Sequence, residues 1–286
     1  MPLATTGELV TRAARDRRAV AAFNIVTLEH IEAVVAGAES AGAPVVLQVS
    51  ENAVRFRRGR VLPLARAATA AAERAAVPVA LHLDHVRSDR LLRQAADAGF
   101  SSVMYDASRL PYRDNLAATR AAVDWAHARG LWIEAELGRI DGKRSDGEPP
   151  RDPHAPGART DPVEARAFVA HCGVDALAVA IGSVHAMTTR TATLDHALLE
   201  RLDSALTVPL VLHGSSGLPD AELTAAVAGG IAKVNIGTAL NLALTNAIRA
   251  YLDAHPEAVD SRDYLDVGRA AMAAAATRLI RVLTPA

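Results

Sequence analysis

The stretch VPVALHLDHVRS, residues 77–88, decides the fold. Val77, Val79, Ala80, Leu81 and Leu83 make its first part a short apolar run, which reads as a buried strand. The run nevertheless carries His82 and ends on Asp84 and His85. A charge taken out of water needs a partner, a proton or a metal. A core strand that ends in an aspartate and a histidine therefore points to chemistry at the strand's C-terminal end.

Seven further runs of the same kind flank it: VAAFNIV (20–26), PVVLQVS (44–50), SVMYD (102–106), WIEAELG (132–138), ALAVAIG (176–182), PLVLHGS (209–215) and KVNIG (233–237). Amphipathic segments such as LEHIEAVVAGAESAG (28–42) and DNLAATRAAVDWAHARG (114–130) lie between them. Gly42, Gly99 and Gly130 stand where helices should stop before the next strand. Near-continuous apolar strands alternating with helices indicate parallel pairing with both faces covered. Eight such units predict an α/β fold, a closed (β/α)8 TIM barrel. SRDYLDVGRAAMAAAATRLIRVL (261–283) forms an additional C-terminal helix beyond the eighth repeat. The rival, an open doubly wound sheet, usually carries a glycine-rich phosphate fingerprint after its first strand. Here that strand is followed by VTLEH (26–30).

At 286 residues and 50% hydrophobic, the chain suits one barrel domain, residues 1–286. A net charge of −1 gives no basic footprint for nucleic acid. No apolar run approaches the roughly 20 residues of a membrane span. The N-terminal segment lacks a signal-peptide apolar core, and the single cysteine, Cys172, excludes an internal disulfide. Both fit a cytoplasmic protein.

In a barrel, residues at the C-terminal strand ends share one mouth. There stand Asn24, Ser50, Asp84, His85, Asp106, Glu136, His185, His213, Asn235 and Thr238. Any one histidine among them reads most simply as hydrogen-bonded locally. His85, His185 and His213 together, at or just past strands three, six and seven, match the ligand set of a catalytic zinc with an open position. Glu136 is either an auxiliary ligand or a buried acceptor that orients one. Asp84 is placed to shuttle a proton. His82 reads as a satisfied interior residue, and His30, His127, His154, His171, His196 and His255 as surface residues. HGSSG (213–217) and KVNIGT (233–238) follow and form the last two strands, where barrels often bind phosphate through backbone N–H groups. Gly214, Ser216, Thr238 and Ser50 are the candidate donors.

Taken in order, AFNIVTLE, VVLQVS, VPVALHLDH, GFSSVMYDAS, EAELGRI, RTDPVEA, GVDALAVAIGSVH, VPLVLHGSSG and KVNIGT cover nearly the whole chain. Together they resemble the class II, metal-dependent ketose-bisphosphate aldolases, which include fructose- and tagatose-bisphosphate aldolases. The resemblance implies one catalytic Zn2+ held by His85, His185 and His213, with Glu136 as ligand at a second position during metal movement. It implies that Asp84 handles the C4 hydroxyl proton. Ser50, Gly214, Ser216, Asn235 and Thr238 would bind the dihydroxyacetone phosphate half, with Asn24 facing the substrate. Arg262 would reach a neighbouring subunit's site in a homodimer or homotetramer. A monovalent cation would sit beside the phosphate.

Three positions depart from the family pattern. Ala186 replaces a glycine after His185, and a backbone contact there survives alanine only at negative φ. The loop DGKRSDGEPPRDPHAPGA (141–158) carries Lys143 and Arg144 where acids are usual, leaving Asp146, or else Glu148, as the substitute acid–base. Gly237 stands where fructose-type members often have aspartate, which opens the choice between fructose and tagatose 1,6-bisphosphate.

A retro-aldol step needs an electron sink, either a metal or a lysine Schiff base. Only two lysines exist, Lys143 on the loop and Lys233 at the start of strand eight, the wrong end of the barrel. The metal route is therefore expected. The alternatives are a zinc-barrel hydrolase, for which the first strand lacks an HxH pair, and a non-catalytic phosphosugar-binding barrel.

Overall fold

The computed structural model describes residues 3–138 and 158–284. Eight parallel strands close into a barrel in sequence order. They are β1 (Val20–Asn24), β2 (Val45–Ser50), β3 (Val79–Val86), β4 (Ser102–Tyr105), β5 (Trp132–Leu137), β6 (Ala176–Val179), β7 (Leu210–Leu212) and β8 (Ile231–Ile236). All eight runs picked out in the sequence are strands. β8 begins two residues earlier than its run, so Lys233 lies inside the barrel and not at its foot.

Helix α1 (Thr6–Arg15) precedes β1 and is started by a capping box between Thr5 and Glu8. The connections carry α2 (Leu28–Ala41), α3 (Glu51–Phe56), α4 (Leu62–Arg74), α5 (Asp89–Leu92), α6 (Tyr112–His127), α7 (Pro162–Cys172), α8 (His196–Ala205) and α9 (Asp220–Ala228). In α7, Asp161 caps Val163 and Glu164 while Pro162 takes the first helical position, which needs no N–H. Gly42 ends α2 at φ +64°, as a left-handed stop requires.

Two helices follow β8: α10 (Thr238–Ala254) and α11 (Ser261–Leu283). α11 packs on α2, α9 and β1, burying Met272, Ala276, Leu279, Ile280 and Leu283. It is therefore a wall helix of the barrel and not an appendage, whereas α10 buries only Leu240. Among the described residues no helix is long and apolar enough to cross a membrane.

Strand alternation divides the core. Ala21, Phe23, Val45, Leu47, Val79, Leu81 and Leu83 pack outward against the helices. Inward positions change character along the barrel axis. Val20, Ala22, Val46 and Ala80 form an apolar floor with Leu9 and Ala13 of α1. Gln48, His82, Ser102, Glu134 and Lys233 form a fully buried polar layer above it. Asn24, Ser50, Asp84, Glu136, His213 and Asn235 follow at the mouth. The period-two pattern thus delivers floor, polar layer and site from the same strands.

Candidate metal centre and active site

Asp84 and His85 are consecutive, so a regular strand would turn them to opposite faces. Both line the mouth cleft. The β3–β4 register shifts between Leu83 and Val86, and His85 takes a left-handed φ of +51°. This bulge turns His85 inward beside Asp84. A non-glycine residue in this region is strained by about 1–3 kcal/mol.

Four side chains converge there. One ligand-type atom from each of His85, Glu136, His185 and His213 lies within 4.8 Å of the others. The histidine rings pack against one another with centroids 4.8–5.8 Å apart. His85 and His213 are buried, as is Glu136, while His185 is half-buried. Three imidazoles and a carboxylate at this spacing suit a borderline-soft divalent ion such as zinc, so the donors fit the group that the sequence implies.

Each buried histidine of the cluster is oriented by a carboxylate. His85 Nδ1 lies 3.1 Å from Asp106 Oδ2, which also accepts from Arg87 Nε at 3.0 Å. Ser108 Oγ donates to the other oxygen of Asp106 at 2.7 Å. Burial alone would raise the Asp106 pKa, but His85, Arg87 and Ser108 hold it well below the ordinary carboxylate range. His213 Nδ1 lies 2.9 Å from Glu136 Oε2 and its Nε2 lies 2.8 Å from Glu134 Oε1. Burial disfavours charge on His213, yet the two carboxylates outweigh it and raise its pKa to about 9. Glu134 is in turn paired with Lys233 Nζ at 2.7 Å. Its desolvation is overcome by Lys233 and His213, which bring its pKa down to about 2. His82 is pushed to about 3, by burial first and then by the Lys233 charge. Its Nδ1 meets Ser102 Oγ at 2.7 Å, which makes it the interior residue expected.

Asp84 is held on two sides. Asn24 Nδ2 donates to it at 2.9 Å and Asn235 Nδ2 at 3.4 Å, while Gln48 Nε2 fixes Asn24 through its Oδ1 at 3.2 Å. Ser50, Gly214, Ser216, Gly237 and Thr238 line the same cleft. Ser50 Oγ accepts from Ala53 N at 3.2 Å and Ser216 Oγ from Ala239 N at 3.1 Å. Both hydroxyl oxygens are thus anchored, with their O–H groups left as donors. The structure brings together every sequence-derived site residue except two. Arg262 is exposed, pairs with Asp260 at the start of α11 and lies outside this chain's cleft. Asp146, with Glu148, Lys143 and Arg144, lies outside the described residues.

Some expectations need correction. Ala186 has φ +61°, so the negative φ on which survival of the backbone contact was conditioned is not met, and alanine holds the left-handed backbone usual for glycine. His30 is not a surface residue but buried, between Thr27 Oγ1 at 3.0 Å and Asn241 Oδ1 at 3.1 Å. Asn241 itself lines the cleft. Sequence reasoning also gave no role to Glu134 and none to Asp106 beyond its place at the mouth. The signal existed: Glu134 and Glu136 share the inward face of β5, and Lys233 is an inward cation on β8.

Fold and cluster define a class of protein, a (β/α)8 barrel with a metal-type histidine–carboxylate centre at its mouth. The family description "Fructose-bisphosphate aldolase class-II" matches residues 4–286. A fructose-bisphosphate aldolase of Geobacillus stearothermophilus is 38% identical over 276 residues, spanning 96% of this chain and 94% of the relative. Among solved structures, the YdjI aldolase of Escherichia coli K12 aligns with a TM-score of 0.84 at 32% identity, over 98% of this chain and 97% of that one. The fructose-bisphosphate aldolase of Campylobacter jejuni shares the fold at a TM-score of 0.81 and 22% identity, over 98% and 95% of the two chains. The chain belongs to the class II fructose-bisphosphate aldolase family, and is thus an aldolase, a carbon–carbon lyase of a metal-dependent class.

Proposed function

We propose that the protein catalyses zinc-dependent, reversible aldol cleavage of a ketose 1,6-bisphosphate, fructose 1,6-bisphosphate first, to dihydroxyacetone phosphate and an aldehyde phosphate. The observation that carries this reading is the His85–Glu136–His185–His213 cluster beside an Asp84 held by two asparagines. Bound there, zinc would polarise the substrate ketone and give the electron pair released at C3 somewhere to go. Asp84 takes the proton from the C4 hydroxyl as the C3–C4 bond breaks, and returns it in condensation. Asn24 and Asn235 keep its carboxylate aimed at that hydroxyl. Asp146 is the proposed acid that protonates C3. Lys233 is no Schiff-base candidate, because it is fully buried and its ammonium is paired with Glu134.

The phosphate of the dihydroxyacetone half is proposed to sit against Ser50, Gly214, Ser216, Asn235 and Thr238. The N-terminus of α10 begins at Thr238, and the positive end of the helix dipole there favours an anion. A monovalent cation would accompany it there. Arg262, exposed and outside its own cleft, is proposed to serve the second phosphate in a neighbouring subunit of a homodimer or homotetramer.

Tagatose 1,6-bisphosphate is the second reading, because Gly237 stands where fructose-type members often have aspartate. A Cβ at Gly237 would stand 3.0 Å from Asn24 Oδ1, so a larger residue would displace Asn24. Gly237 thereby sets where Asn24 meets the substrate. Cleavage of both sugars, before chelation, after it, and after zinc is restored, tests the proposal. Chelator-sensitive cleavage that returns with zinc is expected. No cleavage of either sugar by a zinc-loaded protein would reject it in favour of another phosphorylated ketose or a phosphosugar-binding barrel.

A further inference from the structure

The Lys233–Glu134 pair is fully buried in the barrel's middle layer, one step below the ligand cluster. Such pairs are poor sources of stability, since desolvation of both charges offsets most of their attraction, and well-packed apolar replacements often do as well or better. Neighbouring inward positions are in fact filled by apolar Ala178, Val211 and Met104. Packing therefore gives no reason for the pair, but its geometry does. Glu134 splits its two oxygens: Oε2 meets Lys233 Nζ at 2.7 Å and Oε1 meets His213 Nε2 at 2.8 Å.

His213 has two ring nitrogens with different surroundings. Nδ1 faces Glu136, a member of the four-donor cluster, at 2.9 Å. Nε2 faces Glu134, which is outside that cluster. Both carboxylates can only accept, so both ring nitrogens carry a proton in the metal-free protein; a metal held with Glu136 would replace the proton on Nδ1, while Nε2–H stays on Glu134. Lys233 occupies the remaining oxygen of Glu134. It neutralises that charge and keeps Glu134 from competing for the metal as another ligand.

We propose that Glu134 and Lys233 are positioning residues for the metal centre: Glu134 fixes the tautomer and ring orientation of His213, and Lys233 holds Glu134 in that role. The inference rests on the zinc reading above and reaches beyond its ligands. Outer carboxylates of this kind commonly change metal affinity by 10- to 100-fold.

Two double variants separate positioning from mere structure. E134L/K233M removes both charges and the acceptor. E134Q/K233M removes both charges but keeps an amide oxygen for Nε2–H. Zinc dissociation constants are measured by competition with a chelator, alongside melts of the zinc-free proteins. E134L/K233M should still fold and melt cooperatively, yet bind zinc about 10- to 100-fold more weakly. E134Q/K233M should recover most of that affinity. Equal zinc affinity in the wild type and both variants, or equal loss in both, would overturn the inference while leaving the proposed function standing. No zinc uptake by the wild type would overturn both. A zinc-loaded wild-type crystal structure supplies an independent check that needs no variant to fold: ligation through His213 Nε2 would overturn the assignment, and ligation through Nδ1 would support it.

Discussion

Gly214 ties two candidate ligands together, and replacing it with alanine should loosen both. It follows His213 directly, and an added Cβ would meet the Val184 backbone at 2.7 Å from C, 2.8 Å from O and 3.0 Å from N. Val184 in turn precedes His185. Gly214 also has φ +68°, which costs a side-chain-bearing residue about 1 kcal/mol. The clash is with main chain, so no rotamer change can relieve it, and overpacking of this kind costs about 1–3 kcal/mol more. The expected total for Gly214→Ala is about 2–4 kcal/mol. Gly42→Ala is the control, because Gly42 has φ +64° with nothing within 4 Å of its would-be Cβ. It should lose only the backbone part, about 1 kcal/mol. For a chain of this size each kcal/mol moves Tm by about 2 °C. Calorimetry of the zinc-free proteins should thus place Gly214→Ala about 4–8 °C below wild type and Gly42→Ala about 2 °C below it. Zinc affinity should fall in the first variant alone, since relief of the clash must shift His185 or His213. Equal melts for the two variants, with unchanged zinc affinity in Gly214→Ala, would refute the packing argument.

Asp84→Ala should keep its zinc and lose roughly 10²- to 10⁴-fold in turnover, the range for a proton-transferring side chain; zinc content and cleavage rate measured on one preparation decide it, and wild-type turnover removes Asp84 from the reaction. Ala186→Gly relieves a left-handed alanine, so Tm should hold or rise by up to about 2 °C, less whatever glycine adds to unfolded-state entropy. A clear fall in Tm would mean that φ +61° is not strained there. Asp220 links Arg190 to Arg278 of α11, and although partial burial works against ionisation, these two arginines lower its pKa in the folded state. A lowered folded pKa means the contribution is present above about pH 4 and is lost as pH falls below that. The carboxyl is substantially exposed, so the effect should be under about 1 kcal/mol. Urea midpoints of Asp220→Asn should lie slightly below wild type at pH 7, with the gap narrowing as pH falls below about 4; a gap that does not narrow in acid would remove the ion pairs as its cause.

The barrel was legible because its signal is repeated. Eight apolar runs with intervening amphipathic segments admit few other arrangements, and each strand end could be read for chemistry without coordinates. The cluster was legible for the same reason, since His85, His185, His213 and Glu136 all stand at C-terminal ends. What escaped were partners that no local pattern joins. Glu134 and Lys233 are 99 positions apart and meet only when β5 and β8 close across the interior. His30 sits on a helix whose apolar face is weakly marked, and its burial depends on Asn241 of α10, 211 positions away. α11 was legible as an additional helix after the eighth repeat, but its seat against α2, α9 and β1 emerges only when the barrel closes.

Backbone strain at the mouth has a geometric cause. Four non-glycine residues among those described have positive φ, and two of them, His85 and Ala186, line the cleft. A regular strand presents one inward side chain about every 6.6 Å, too coarse to place a proton shuttle and a ligand side by side. The β3 bulge overcomes that limit by turning His85 to the face that Asp84 already occupies. Ala186 performs the matching turn after His185, where the chain leaves β6 without a helix to carry it inward. Such conformations persist only where their surroundings over-determine them. Here the paired strands below and the Asp106–Arg87 contacts beside His85 supply that constraint. The period-two regularity that makes the barrel readable is therefore broken where the proposed chemistry needs two neighbouring groups at one point.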